Sequence, residues 1–233
     1  MKKIVITGGL GYIGTELCKI YSGYSWNYKI TVIDNRFISE RVNQLRKWNI
    51  NFVQADILNS KLISDYCKDA DVIHHLAGIT LVPKVKNESN LEQEKFIKKV
   101  GVEGTQNILD AMSATSKIIL PSTHVVYEGL KDLKNDIKEN EETCPVLAYA
   151  KSKDLNEKQL INSRKKFVIL RLGSVYGYST DTARIDIMPN LFSKIASQNG
   201  SLKLFAGGRQ VKSLVPLIDV ARCFKFIEER EDI

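Results

Sequence analysis

At 233 residues, 43% hydrophobic and 26% charged, the chain can bury a proper core and makes one large domain, or one domain with an appendage. A formal charge of +7 suits an anionic ligand such as a nucleotide. The basic residues are spread along the chain without a dense arginine run, which reads as a lysine-rich solvated surface and argues against nucleic-acid binding.

Met1-Lys2-Lys3 is followed by only three apolar residues before Thr7, too few for the apolar region of a signal sequence. No stretch approaches the length of a membrane span, so a soluble cytoplasmic protein with no membrane partner is expected. Short apolar runs predict strands over 3–6, 29–33, 51–54, 71–75, 117–121 and 167–172. Longer amphipathic runs predict helices over 12–21, 39–48, 60–67, 91–113 and 148–163. Strands apolar on both faces, alternating with helices, give an α/β fold with a parallel sheet. Residues 128–145 are polar and acidic and read as an exposed loop. After Gly173 the spacing becomes irregular, with a helix expected over 186–197, strands over 201–205 and 214–217, and a helix over 219–229. Cys18, Cys67, Cys144 and Cys223 lack the paired spacing of metal sites or disulfide frameworks, so reduced thiols and no bound metal are expected.

The first strand runs into Thr7-Gly8-Gly9-Leu10-Gly11-Tyr12-Ile13-Gly14 and then into the first helix. Gly8 permits the tight turn, Gly11 lets the backbone approach a pyrophosphate, and Gly14 allows close helix–strand packing. The helix then turns its free amides and positive end toward the phosphates. Asp34 ends the second strand, where a carboxylate accepts hydrogen bonds from the adenosine ribose hydroxyls and repels a 2′-phosphate. Ser39 is the better candidate to cap the next helix, which leaves Asp34 for the ribose. NAD is therefore the expected cofactor. Arg36, two residues on, is the kind of group that holds the extra phosphate of NADP, and keeps that alternative open.

These residues, with Asp56-Ile57, His75-Leu76-Ala77-Gly78, Ser122-Thr123-His124-Val125-Val126-Tyr127, Tyr149-Ala150-Lys151-Ser152-Lys153 and the run from Arg171 to Gly177, make the chain similar to the extended short-chain dehydrogenase/reductase family, especially its nucleotide-sugar epimerases. The resemblance continues to Asp219-Val220-Ala221. It implies a doubly wound Rossmann sheet over residues 1–173 and a smaller, incomplete C-terminal substrate-binding portion over 174–233. Relatives continue with a further strand and helices, so a truncated chain, or else a naturally minimal member, is expected.

The resemblance also assigns roles. Gly8, Gly11, Tyr12, Ile13, Gly14, Asp34, Asn35, Asp56, Ile57, Leu76, Ala77 and Gly78 are the expected cofactor contacts. Asp56 and Ile57 would hold the adenine, although a carboxylate at Asp56 could equally cap the following helix. His75 reads as a packed histidine. Tyr149 and Lys153 project from one helix face and form the expected chemical centre, both also touching the cofactor. A tyrosine ionises near pH 10, so acting as a base near neutrality requires that value to fall by about 3, which is about 4 kcal/mol. An adjacent ammonium and a positive nicotinamide ring can supply it. Thr123 would bridge the substrate oxygen and Tyr149. His124, Ser174, Asn190 and Lys212 are candidate substrate contacts, with Arg184 and Asp186 in the same segment.

Departures from the family pattern narrow the chemistry. Sugar 4,6-dehydratases carry an acid pair where this chain has His124 and Val125, and without it the elimination of water lacks its general acid and base. Glu128 replaces a usual glycine, and Gly101 a common asparagine. The expectation is an NAD-dependent epimerase that transiently oxidises carbon 4 of a nucleotide-linked sugar. A net oxidoreductase and a non-catalytic NAD-binding regulatory protein are the alternatives. A homodimer through the helices over 91–113 and 148–163 is expected, with Phe96, Val100, Ile108, Leu155 and Leu160 as its apolar residues.

Overall fold

The computed structural model describes residues 1–24, 26–80, 91–131, 134–180 and 184–232. Six strands form one parallel sheet: β1 (Lys2–Thr7), β2 (Tyr28–Asp34), β3 (Asn51–Gln54), β4 (Val72–His75), β5 (Lys117–Thr123) and β6 (Lys166–Leu172). Their order is β3-β2-β1-β4-β5-β6. The winding direction reverses between β1 and β4, which opens a crevice at the carboxyl ends of those strands, where α/β sheets bind ligands. Register brings Thr7 opposite both Ile33 and His75 at that edge.

Helices cover both faces: α1 (Tyr12–Ser22), α2 (Ser39–Lys47), α3 (Ser60–Cys67), α4 (Leu91–Ala111) and α5 (Ala148–Asn162). Alternate strand residues feed two cores, as a period of two requires. Ile4 and Ile6 join Leu17 and Tyr21 of α1 and Val42 and Leu45 of α2. Val5, Ile33 and Ile73 join Ile63 of α3, Ile108 of α4 and Leu160 of α5. Such double-sided burial explains why the middles of the strands carry almost no polar residues, which are left to the two ends.

After the sheet come β7 (Ser174–Tyr176), α6 (Met188–Ser197), β8 (Leu214–Pro216) and α7 (Leu217–Glu229), with β7 and β8 paired in parallel. Here the structure corrects several expectations. The expected strand over 201–205 does not form: residues 201–204 are irregular and a 3-10 turn follows over Phe205–Gly208. Its alternation finds no neighbouring strand to pair with, and alternation alone does not make a sheet. The short strand β7 was not anticipated. The helix expected from Asp186 begins at Met188, with Pro189 in its first turn, where proline's missing donor costs nothing. The last helix begins at Leu217, directly after Pro216, and so takes the residue assigned to the end of the preceding strand.

Helix α7 packs not with α6 but with the first core: Val220, Ala221, Phe224 and Ile227 lie among residues of α1 and β1. Lys225 clamps it there. Its ammonium is over the rings of Tyr21, Tyr24 and Tyr28, donates to the Tyr28 hydroxyl at 2.8 Å, and pairs with Glu228 at 3.0 Å.

Candidate functional site

The glycine loop leads from β1 into α1 at the crevice. Gly8 sits at φ +70°, a left-handed conformation, and a Cβ on it would lie 2.7 Å from the Ala77 backbone nitrogen. At Gly14 a Cβ would meet the Gly8 carbonyl oxygen at 2.6 Å, so both positions exclude any side chain. Gly11 is the N-cap of α1 and no side chain caps that helix end. Among the described residues no side chain bonds its first-turn amides, the arrangement that suits a pyrophosphate. Tyr12 is buried and Ile13 packs against the first core.

Asp34 stands at the end of β2 and accepts from the Leu10 backbone N–H at 3.0 Å. Arg36 folds back on it, donating its backbone N–H and its Nε to Asp34 Oδ1 at 3.1 and 3.2 Å. Ser39, the expected cap of α2, is its first helical residue instead; Ile38 holds the cap position without a side-chain bond. Asn35 donates to Asp56, whose other oxygen accepts from the Leu58 backbone N–H. Asn59, not Asp56, caps α3, so the carboxylate braces the turn after β3 beside the adenosine side of the crevice. Ile57 is buried, and Asn107 of α4 holds its carbonyl at 2.9 Å.

Beyond β4, Leu76 donates its N–H to the Thr7 carbonyl, and Ala77 donates its N–H to the Thr7 hydroxyl. A Cβ on Gly78 would meet nothing within 4 Å, so the crevice is open there. His75 is a packed histidine: its ring nitrogens bond the hydroxyls of Thr7 and Thr105, and burial pushes its pKa down to about 3.

On the far side of the crevice, β5 ends at Thr123 and α5 begins at Ala148, so Tyr149 enters in the first turn of α5. The Thr123 hydroxyl lies near enough to the Tyr149 phenol to act on its ionisation. Lys153 follows on the same helix face, 7% exposed, and its ammonium donates to no group among the described residues. Burial lowers its pKa to about 8, against which the Glu157 carboxylate acts. Burial also raises the Tyr149 pKa, with the Arg184 guanidinium and the Thr123 hydroxyl acting in the opposite direction. The protein alone therefore does not make Tyr149 the low-pKa base that the sequence calls for. The lowering has to come from positive charge brought to the crevice with a cofactor.

An open glycine-lined channel, an uncapped helix end, a strand-end carboxylate and a buried ammonium with no protein acceptor fit the pyrophosphate, ribose and nicotinamide halves of NAD.

The candidate substrate residues divide. His124 begins a 3-10 turn after β5 and bonds the Leu172 carbonyl at 2.9 Å through Nδ1. Ser174 is half-buried in β7, and Lys212 is exposed. Asn190 is committed to the protein: Oδ1 accepts from the Gly177 N–H at 2.9 Å, and Nδ2 donates to the Tyr12 hydroxyl and the Arg184 carbonyl. It ties α6 to the glycine loop. Glu157 and Arg171 lie directly behind the reactive pair and carry no role in the sequence reading. Glu157 is one helical turn past Lys153, a spacing that was a usable signal. Nothing in the sequence points Arg171 at it.

The sequence matches the profile of the NAD dependent epimerase/dehydratase family over residues 4–232. It is 26% identical over 254 aligned residues to dTDP-D-glucose 4,6-dehydratase of Dictyostelium discoideum, covering 100% of this chain and 57% of that protein. It is 25% identical over 237 residues to UDP-N-acetyl-alpha-D-glucosaminuronate decarboxylase of Bacillus cytotoxicus, covering 98% and 68%. A crystal structure of a UDP-glucuronic acid 4-epimerase mutant from Bacillus cereus, in complex with UDP-4-deoxy-4-fluoro-glucuronic acid and NAD, superposes with a TM-score of 0.83. It is 26% identical, covering 99% of this chain and 74% of that one. The chain thus spans little more than half the length of the first of these relatives.

Proposed function

The chain belongs to the NAD dependent epimerase/dehydratase family, and from that premise we propose that it is a 4-epimerase of a nucleotide-linked sugar. The observation that carries this reading is that Thr123 at the end of β5 stands beside Tyr149 in the first turn of α5, with Lys153 buried one turn on, while His124 and Val125 occupy the positions where elimination would need two carboxylates. NAD supplies a hydride acceptor that returns what it takes. Tyr149 draws the proton from the sugar 4-hydroxyl. Thr123 donates to the sugar oxygen as charge develops there. Lys153 holds the nicotinamide ribose and places its charge beside the phenol. The keto sugar would turn over within the crevice so that carbon 4 regains its hydride on the opposite face, and Tyr149 returns the proton to the 4-oxygen.

Residues 1–173 form the cofactor half in this reading, and 174–216 lie on the sugar side, with His124, Ser174 and Lys212 toward the substrate. Asn190 serves by fixing Tyr12 rather than by touching the sugar. A cytoplasmic location accords with four free cysteines, and no described helix is long and apolar enough to cross a membrane. We also propose a homodimer through α4 and α5. Val100, Ile108 and Leu160 are buried on the sheet side, so the outer faces must make the contact, with Phe96 of α4 54% exposed and Leu155 of α5 lining a groove with Val102 and Gln106 of α4. Sedimentation showing only monomer at high concentration would remove this assembly.

The test of activity is to incubate the protein with a panel of nucleotide sugars and catalytic NAD, following products by NMR. The reading requires a 4-epimer without accumulation of NADH. Accumulated NADH or a reduced sugar would make the protein a net oxidoreductase, and loss of water from the sugar would make it a dehydratase.

A further inference from the structure

Glu157 lies one helical turn past Lys153 on α5 and is 3% exposed. Its carboxylate is engaged by Arg171 and Ser122 and makes no hydrogen bond or ion pair with Lys153, on which it acts through space. Arg171 of β6 donates Nε to both oxygens at 3.1 Å and Nη2 to Oε2 at 2.6 Å, while Ser122 of β5 donates to Oε1. Arg171 is itself fixed by the Tyr127 hydroxyl and the Glu139 carbonyl, with its guanidinium 5.2 Å from the centre of the Tyr127 ring. The result is a line of charge, plus–minus–plus, running from the half-buried Arg171 through the buried Glu157 to Lys153.

A buried ammonium with no acceptor should lose its proton, because desolvation disfavours the charged form. The other groups around Lys153 do not help it. Tyr149 on α5 is neutral while it holds its proton, and His75 on β4 is neutral. Ser122 on β5 is uncharged, and α4 meets α5 through Gly101, Val102 and Gln106. Glu157 is the one negative charge acting on Lys153 among the described residues, and Arg171 claims that same charge.

We propose that Glu157 is a positioning residue that keeps the buried Lys153 ammonium charged, and that Arg171, by sharing the same carboxylate, limits that hold. The proposal rests on Lys153 being the cofactor-side lysine but not on the identity of the product. It makes opposite predictions for the two partners. Removing the carboxylate charge leaves Lys153 and Arg171 without the anion they share. Removing Arg171 leaves the whole carboxylate to Lys153.

The test is an NMR titration of isotope-labelled lysine in the cofactor-free protein, with the Lys153 resonance assigned by its loss in Lys153→Arg. The parent resonance is expected to titrate at about pH 8. In Glu157→Gln the midpoint should fall by about one pH unit or more, and in Arg171→Gln it should rise. NAD affinity by calorimetry should follow: Glu157→Gln should bind about tenfold more weakly than the parent near pH 8 and within about twofold of it near pH 6. Should Glu157→Gln fail to fold, the rise in Arg171→Gln alone decides. Unchanged midpoints, or a shift in the same direction in both variants as packing damage would give, overturn the proposal. A protein that titrates as expected yet yields no epimer leaves the proposal standing and removes the 4-epimerase reading.

Discussion

The six-stranded sheet and the segment 174–216 form two sides of one crevice, and they are held in opposite ways. Every residue of β4 and β5 is buried, whereas α6 buries none and β7 and β8 are three residues each. Tyr178 and Val211 are 83% and 95% exposed. The segment is tied to the sheet half by the packing of Val175 and Val215 on the first core and by polar contacts, chiefly Tyr12 to Asn190 and to the Gly177 carbonyl, and Arg41 of α2 to the Thr180 carbonyl. The groups that would move a proton and grip a cofactor thus stand on packing that is complete before any ligand arrives. The groups that would choose a sugar stand on a thinner layer, where repositioning costs little.

That contrast can be broken most sharply at Tyr149. Tyr149→Phe deletes only a hydroxyl and keeps the ring, so turnover should fall by about a thousandfold or more while NAD binding and the melting temperature stay at parental values. Thr123→Val should lose about a hundredfold, the usual cost of one donor to a developing oxyanion. Near-parental turnover in Tyr149→Phe would sink the mechanism and favour the non-catalytic NAD-binding reading.

Stability should divide along the same line. Phe224 of α7 is fully buried, and Phe224→Ala should cost about 3–5 kcal/mol in a denaturant titration. Val211→Ser on the thin side should stay within about 0.5 kcal/mol. Comparable losses at the two positions would mean that the segment is packed in solution.

Acid should attack the sheet half first. His74 and His75 are neutral in the folded chain, with burial pushing both to a pKa of about 3, against about 6.5 for an unfolded histidine. Below pH 6.5 the unfolded chain takes up protons that the native state refuses. This contribution is therefore complete above pH 6.5 and is lost as the pH falls from there toward 3, by up to about 1.4 kcal/mol per pH unit for each ring. Unfolding midpoints measured between pH 7 and 5 should decline, and His75→Gln should halve the slope. A flat profile would refute the buried neutral rings.

Two smaller effects sharpen the boundary. Asp34→Ala should weaken NAD by about tenfold and narrow its advantage over NADP, because the ribose hydroxyls lose an acceptor and a 2′-phosphate loses a repelling charge. Tighter binding of NADP than NAD to the parent would overturn the assignment of Asp34. Asn190→Ala frees Tyr12 and the turn at Gly177 for about 1 kcal/mol of stability. It should raise the Kd for NAD more than the KM for the sugar nucleotide, because Tyr12 belongs to the cofactor loop. The reverse pattern would place Asn190 on the sugar side.

The sequence by itself determined the βαβ opening, the glycine loop, Asp34, and the Tyr149–Lys153 spacing on one helix. Each follows from forces acting within a few residues: a left-handed turn at Gly8, an apolar strand buried on both faces, and a helical period that puts i and i+4 together. Only the tertiary structure decided what depends on a distant partner. Alternation at 201–205 met no strand, Ser39 was passed over as a cap, and Asn190 spent its amide on Tyr12 across the crevice. Helix α7 crossed back to the first core through Phe224 and Lys225. The phenol of Tyr149 sits above its ordinary pKa because burial outweighs the neighbouring charges, and the carboxylate of Glu157 reaches Lys153 only through a share left by Arg171. Burial and charge are sums over neighbours from the whole chain, and local spacing carries no record of them.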